Sequence, residues 1–218
     1  MRTDLTIIYY TSNTELPKFE AKIRRTLVHM SGGLPIVSVS QKPIDFGKNI
    51  CVGEVGVTGH NALRQMLIGA RAATTRFVCM AESDFLHPKD YFTFVPPRDD
   101  VFYMAMPLYV LFAQKGKARL FCPKPQGSEA AMVINREYLI EKMEEMFYGK
   151  QEWAREEVRD NLKTLWKHGT REYFYPKDPV ITFKTDANMH RKTPFRRGRC
   201  VSELPGAGSA ERLIRKYL

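Results

Sequence analysis

Phe77 to Pro88 reads FVCMAESDFLHP, an apolar run that stops abruptly at Glu82-Ser83-Asp84. Its opening residues are apolar and β-prone, so the segment reads as a buried strand. Carboxylates at the C-terminal end of such a strand lie where an open α/β sheet binds its ligands. Two acids one residue apart form a hard oxygen site suited to Mg²⁺ or Mn²⁺, above all an ion shared with a diphosphate. The plainer reading is a turn, with Pro88 opening a short helix.

The segments before this turn restrict the fold further. Thr6 to Tyr10 reads as a strand closing on Thr11-Ser12-Asn13, and Pro17 to Met30 as a helix with Phe19, Ile23, Leu27 and Met30 on one face. Ser31-Gly32-Gly33 ends that helix. Pro35 to Ser40 is a second strand, so the unit is a right-handed βαβ crossover with parallel strands. Asn49 to Val57 reads as a short strand or loop. His60 to Ala73 is a helix with Leu63, Met66, Leu67 and Ala70 on one face and Asn61, Arg64 and Gln65 elsewhere. Together these predict a doubly wound nucleotide-binding half.

Beyond Pro97 the expected strands are Val101 to Met106, Tyr109 to Ala113, Ala118 to Cys122 and Ala130 to Ile134. Helices are expected over Arg136 to Phe147 and Glu152 to His168, an extended segment over Tyr173 to Phe183, and a short helix from Ser209. The expected architecture is a single α/β domain with a parallel or mixed central sheet flanked by helices. Its nucleotide half spans 1–97, its acceptor half 98–186 and a basic segment 187–218.

At 218 residues the chain buries enough surface to need no disulfide, and its four cysteines, Cys51, Cys79, Cys122 and Cys200, form no CxxC pair. They read as free thiols of a reducing compartment, without structural zinc. With no leader and no apolar run of membrane-spanning length, the expected location is cytoplasmic. The net charge is +10, and residues 187–218 carry eight Lys/Arg against two Glu, or +6. That balance points to a polyanionic partner, with neutralisation of a bound diphosphate as the simpler explanation.

The run Gly59-His60-Asn61-Ala62 through Ile68-Gly69-Ala70-Arg71-Ala72-Ala73, continuing into RFVCMAESDFLHP, resembles the inverting family-2 glycosyltransferases. The likeness covers about Thr6 to Tyr91, with a weaker echo in Asp186 to Lys192, and is similar to the small phage-type members. Some of those are similar to transferases that decorate hydroxymethylated pyrimidines in DNA. Two departures stand out: the family has Asp where Glu82 stands, and its C-terminal acidic pair has no clear counterpart. The resemblance implies a GT-A-like fold, a nucleoside diphosphate sugar donor (a UDP-sugar first), Mn²⁺ or Mg²⁺, and a DNA acceptor. For a phage protein the location would be the host cytoplasm.

Roles follow residue by residue. Asp84 is the expected metal ligand, with His190 completing the site, and Glu82 the partner of ribose, sugar or metal-bound water. Thr11, Ser12, Asn13, Lys42, Asn61 and Arg64 are expected around the base and ribose, and Arg191 and Lys192 on the diphosphate. Each has a structural alternative: Thr11 and Ser12 as caps, Arg64 on a solvated face, His190 in a basic loop. Glu129, in a glycine-bearing loop, is the expected general base, with Asp178 and Asp186 as alternatives. Phe195, Arg196, Arg197 and Arg199 suit base stacking and phosphate contacts. Two other functions compete. A nucleotidyltransferase would need a glycine-rich loop after the first strand, which TSNTE lacks; a non-catalytic nucleic-acid-binding module would leave Asp84 without purpose.

Overall fold

The computed structural model describes residues 4–114, 116, 118–156, 165, 169–187 and 199–218. Strand β1 (Leu5–Thr11) is buried at every position, as an unbroken apolar strand covered on both faces must be. Helix α1 (Pro17–Ser31) starts on its proline and ends where Gly32 takes a left-handed φ of 64°. Strands β2 (Ile36–Ser40) and β3 (Lys48–Cys51), helix α2 (Gly59–Ala72) and strand β4 (Phe77–Glu82) follow. β1 pairs in parallel with both β2 and β4, as the strand–helix–strand rhythm predicts. Packing of α2 on β1 depends on Gly69, whose Cβ would come within 2.3 Å of Ile8.

The chain continues through β5 (Phe85–Leu86), a 3₁₀ turn (Lys89–Tyr91), β6 (Val101–Ala105), β7 (Leu108–Phe112) and β8 (Phe121–Pro123). A second 3₁₀ turn (Glu129–Ala131) leads into β9 (Met132–Asn135) and α3 (Arg136–Phe147). Last come β10 (Thr170–Phe174), β11 (Val180–Lys184), the short β12 (Glu203–Leu204) and β13 (Gly208–Ser209), and α4 (Ala210–Tyr217). The main sheet has seven strands in the order β10-β6-β9-β4-β1-β2-β3, with β9 antiparallel to both its neighbours. A smaller sheet, β5-β11-β7-β8, packs through Phe183 and Phe121 against α1 and α4. Residues on both sides of position 97 thus share one sheet.

Two expectations, on the cysteines and on the helix from Glu152, need correction. Cys122 and Cys200 form a disulfide joining β8 to the C-terminal segment, so the cysteines are not all free thiols and cease to argue for a reducing compartment. Asn61 and Gln65 are buried, at 1% and 2% exposure, because their amides bond to backbone beneath the helix. The helix expected from Glu152 does not begin there: residues 152–153 and 155–156 form bends, and the rest of that stretch beyond 156, except Leu165, lies outside the described residues. Among the described residues no helix is long and apolar enough to cross a membrane.

Candidate functional site

Glu82 closes β4 at the C-terminal end of the parallel strands, in register with Tyr10 of β1. The Tyr10 hydroxyl donates to Glu82 Oε2 at 3.5 Å. The turn that follows is held by β11. Phe183 N–H donates to the Asp84 carbonyl at 2.9 Å, and Thr182 Oγ1 donates to Asp84 Oδ2 at 3.2 Å. Lys184 Nζ meets the same carboxylate oxygen at 3.3 Å. Asp84 is only 4% exposed, so its charge is held by named partners rather than by water.

Glu129 arrives from the other side. Because β9 runs antiparallel to β4, the turn that opens β9 lies beside the end of β4. Two buried rings fix this turn. Tyr91 Oη bridges the carbonyls of Met80 (2.9 Å) and Met132 (2.8 Å). His87 Nε2 lies 2.8 Å from the Ala130 carbonyl, a contact that assigns the proton to Nε2. Burial pushes His87 down to about 4, so it stays neutral in that role. Gly127, at φ 71°, lies against Met104, where a Cβ would come within 3.0 Å.

The charges of Asp84, Lys184, Lys124 and Glu129 therefore all act on Glu82, and Lys184 is in contact with Asp84. Burial, then the Asp84 charge, raises Glu82 to about 8. Burial also raises Glu129, against the pull of Lys124 and Arg171. For Lys184 burial acts downward, yet Asp84 and Glu82 hold it above the usual lysine range; Lys124 is lowered by burial. Glu15, which accepts the Thr185 hydroxyl at 2.9 Å, is raised by burial to about 7. Like charges gathered in a poorly solvated cleft are a mark of ligand sites.

The β1 rim is different. Thr11 Oγ1 donates to Glu20 at 2.7 Å and accepts from Asn13 N–H at 2.9 Å. Asn13, at φ 57°, accepts with Oδ1 from the N–H groups of Gln41 (2.9 Å) and Lys42 (2.8 Å). Ser12 pairs with Thr14, and Lys42 with Glu54, both at the surface. Asn61 donates to the carbonyls of Val55, Gly56 and Ala154 and accepts from Ala154 N–H. Arg64 donates to the Gln151 carbonyl at 2.9 Å and lies 3.7 Å over the Phe147 ring. Asp178 lies between β10 and β11, and exposed Asp186 follows β11. Arg199 is exposed; His190, Arg191, Lys192, Phe195, Arg196 and Arg197 lie outside the described residues.

Sequence reading missed Lys184, Lys124, Glu15 and His87. For Lys184 a signal existed: VITFK repeats the pattern of FVCMAE, an apolar strand ending in a charge. Among the described residues no group of three or more His, Cys, Asp and Glu gathers as a metal cage. Glu82 and Asp84 nevertheless fit a divalent ion shared with a diphosphate, which needs only one or two protein carboxylates.

No protein-family model matches this chain, and no curated protein matches it in sequence. Among solved structures it is similar to S. aureus TarS (residues 1–349): TM-score 0.50, 11% identity, 82% of this chain and 60% of that one. The TarS complex with UDP superposes with TM-score 0.52 at 11% identity, over 83% of this chain and 60% of that one. The complex with UDP-GlcNAc gives TM-score 0.50 at 10% identity, over 87% and 60%. The chain thus spans about 60% of the length of these three TarS structures. At this identity the likeness concerns the fold, which is GT-A-like: a mixed central sheet flanked by helices.

Proposed function

We propose that this protein is a metal-dependent, inverting glycosyltransferase that moves a sugar from a nucleoside diphosphate, a UDP-sugar first, to an acceptor hydroxyl. The acceptor we propose is a 5-hydroxymethylpyrimidine in DNA, in a cytoplasm that is the host's if the chain is phage-encoded. The reading rests above all on the convergence of Glu82, Asp84 and Glu129 at the C-terminal end of β4 in a GT-A-like sheet. That is where an α/β sheet binds its ligands.

Asp84, with His190 as the proposed further ligand, would hold Mn²⁺ or Mg²⁺, and the ion when bound neutralises the charge that grows on the departing diphosphate. Lys184, paired with Asp84, brings a second positive charge to the same place. Glu129 takes the proton of the acceptor hydroxyl as its oxygen bonds to the anomeric carbon. The sugar–phosphate bond breaks on the opposite face, and its electron pair leaves with the nucleoside diphosphate. Burial raises the Glu129 carboxyl above its ordinary value, which makes its carboxylate a stronger base. Thr11, Ser12, Asn13, Lys42, Asn61 and Arg64 form the proposed wall of the base and ribose pocket, mainly by fixing backbone, with Arg191 and Lys192 on the diphosphate.

The test is a panel of nucleotide sugars with Mn²⁺ or Mg²⁺ and DNA containing 5-hydroxymethylcytosine or 5-hydroxymethyluracil, followed by nucleoside mass. A hexose- or pentose-sized gain that needs metal and Asp84 is the expected result. Metal-dependent donor hydrolysis without a gain on DNA would remove the DNA acceptor, and no turnover of any donor would remove the transferase.

A further inference from the structure

The edge of the main sheet carries a pattern that the donor site does not use. β10 is the last strand of that sheet, paired on one side with β6. From Arg171 onward the chain reads R-E-Y-F-Y-P-K. Phe174 and Pro176 are buried, while Arg171, Tyr173, Tyr175 and Lys177 are exposed. Phe174 stacks inward on Phe94 at 3.9 Å, which sends its neighbours Tyr173 and Tyr175 the other way. Tyr175 is 74% and Tyr173 38% exposed, and the Arg171 guanidinium sits 5.2 Å over the Tyr173 ring. Arg171 and Tyr173 thus lie on one face at the edge of β10, exposed Glu172 between them pairs with Arg98 at 3.7 Å, and exposed Tyr175 and Lys177 follow just past the end of the strand.

This edge adjoins the loop of Glu129. Tyr173 is in register with Met104 of β6, and Gly127 rests on Met104. β10 runs parallel to β6, so Tyr175 emerges at the same end of the sheet as Glu82. Aromatic surface left in water has a cost that a stacking partner removes. Within β10 the alternate residues Arg171 and Tyr173 stand about 7 Å apart, close to the repeat of an extended nucleotide strand. With a chain charge of +10, the complementary partner is anionic.

We infer that Arg171, Tyr173, Tyr175 and Lys177 form a docking surface for a single nucleic-acid strand, bases on the two tyrosines and phosphates on the two cations. As the place where an acceptor is presented to Glu129 it rests on the transferase reading; as a strand-binding surface it stands alone. Stacking on aromatic side chains tolerates sequence, so the surface selects a strand and leaves choice of base to the cleft.

The test is fluorescence anisotropy with a labelled single-stranded oligonucleotide containing 5-hydroxymethylcytosine, with UDP plus Mn²⁺ titrated separately. Wild-type protein binds the strand, and affinity falls as salt rises. Tyr173→Ala with Tyr175→Ala weakens binding at least about tenfold. Tyr173→Phe with Tyr175→Phe keeps it, since the ring faces remain. Arg171→Gln with Lys177→Gln lowers the slope of log affinity against log salt by about 1.4, or ~0.7 for each phosphate that is no longer neutralised. UDP binding is the same in all these variants. Wild-type protein without affinity for the strand at low salt overturns the inference, as does a double alanine variant that binds like wild type. Binding of the strand without any binding of UDP leaves this surface standing and removes the transferase reading instead.

Discussion

The two rims of the cleft use polar residues in opposite ways. Along the end of β1, Thr11, Asn13 and Asn61 give their hydrogen-bonding atoms to the protein's own backbone and to Glu20. At the end of β4, Glu82 lies within electrostatic reach of Asp84, Glu129, Lys124 and Lys184; burial and then the Asp84 charge raise Glu82, and burial raises Glu129. The first rim is satisfied and sets shape. The second carries electrostatic tension that an incoming cation or phosphate can relieve. Space alone is a poor guide. An open cleft of about 1000 Å³ lies at the other end of the strands, lined by Asp4, Gly32, Leu34 and Phe92, without such a cluster.

If the contrast is right, substitutions at the β4 end reduce turnover and those at the β1 rim reduce stability. The largest effect is expected at Glu129. Glu129→Gln should lower transfer by about 10²–10⁴-fold with donor binding intact, measured by single-turnover kinetics. The acid limb of the wild-type rate profile should lie above the ordinary carboxyl value of 4.5, because burial raises this group. Asp84→Asn should cost about 10²–10³-fold in transfer, with donor affinity falling too. Asn61→Ala, which removes four hydrogen bonds from buried backbone, should cost about 3 kcal/mol in urea unfolding.

Glu15 gives a smaller effect with a definite sign. Its carboxyl titrates at about 7 in the folded chain against 4.5 ordinarily, so the folded protein holds the proton more tightly. The stability this contributes is full below about 4.5 and is lost as pH rises towards about 7. Glu15→Gln keeps an acceptor for Thr185 and removes that loss. The variant should be more stable than wild type by about 2 kcal/mol at pH ~8 and equal to it at pH ~4, by thermal melts. Lys42→Ala, which breaks an ion pair with both partners exposed, should change stability by less than about 0.5 kcal/mol.

The fold was legible wherever local periodicity and burial agree. β1, α1, β2, α2, β4 and α3 fall within a residue or two of their expected limits. The smaller sheet was less so, because β11 is defined by pairing with β5 and β7, a relation that no local pattern encodes. For the same reason Lys184 stayed hidden, one hundred residues from Asp84 and in contact with it. The burial of Asn61 and Gln65 was not legible, because an amide's place in the interior depends on the backbone it satisfies. The Cys122–Cys200 bond, across a separation of 78 residues, has no signature in cysteine spacing.

The central claim is that the charged end of β4 holds a nucleoside diphosphate. Calorimetric titration of UDP into the protein with Mn²⁺, in wild type and Asp84→Asn, tests it most directly. Saturable binding to wild type, weakened at least about tenfold when Asp84 is replaced or the ion is chelated, is expected. Equal binding to both proteins, or none to wild type, would contradict it.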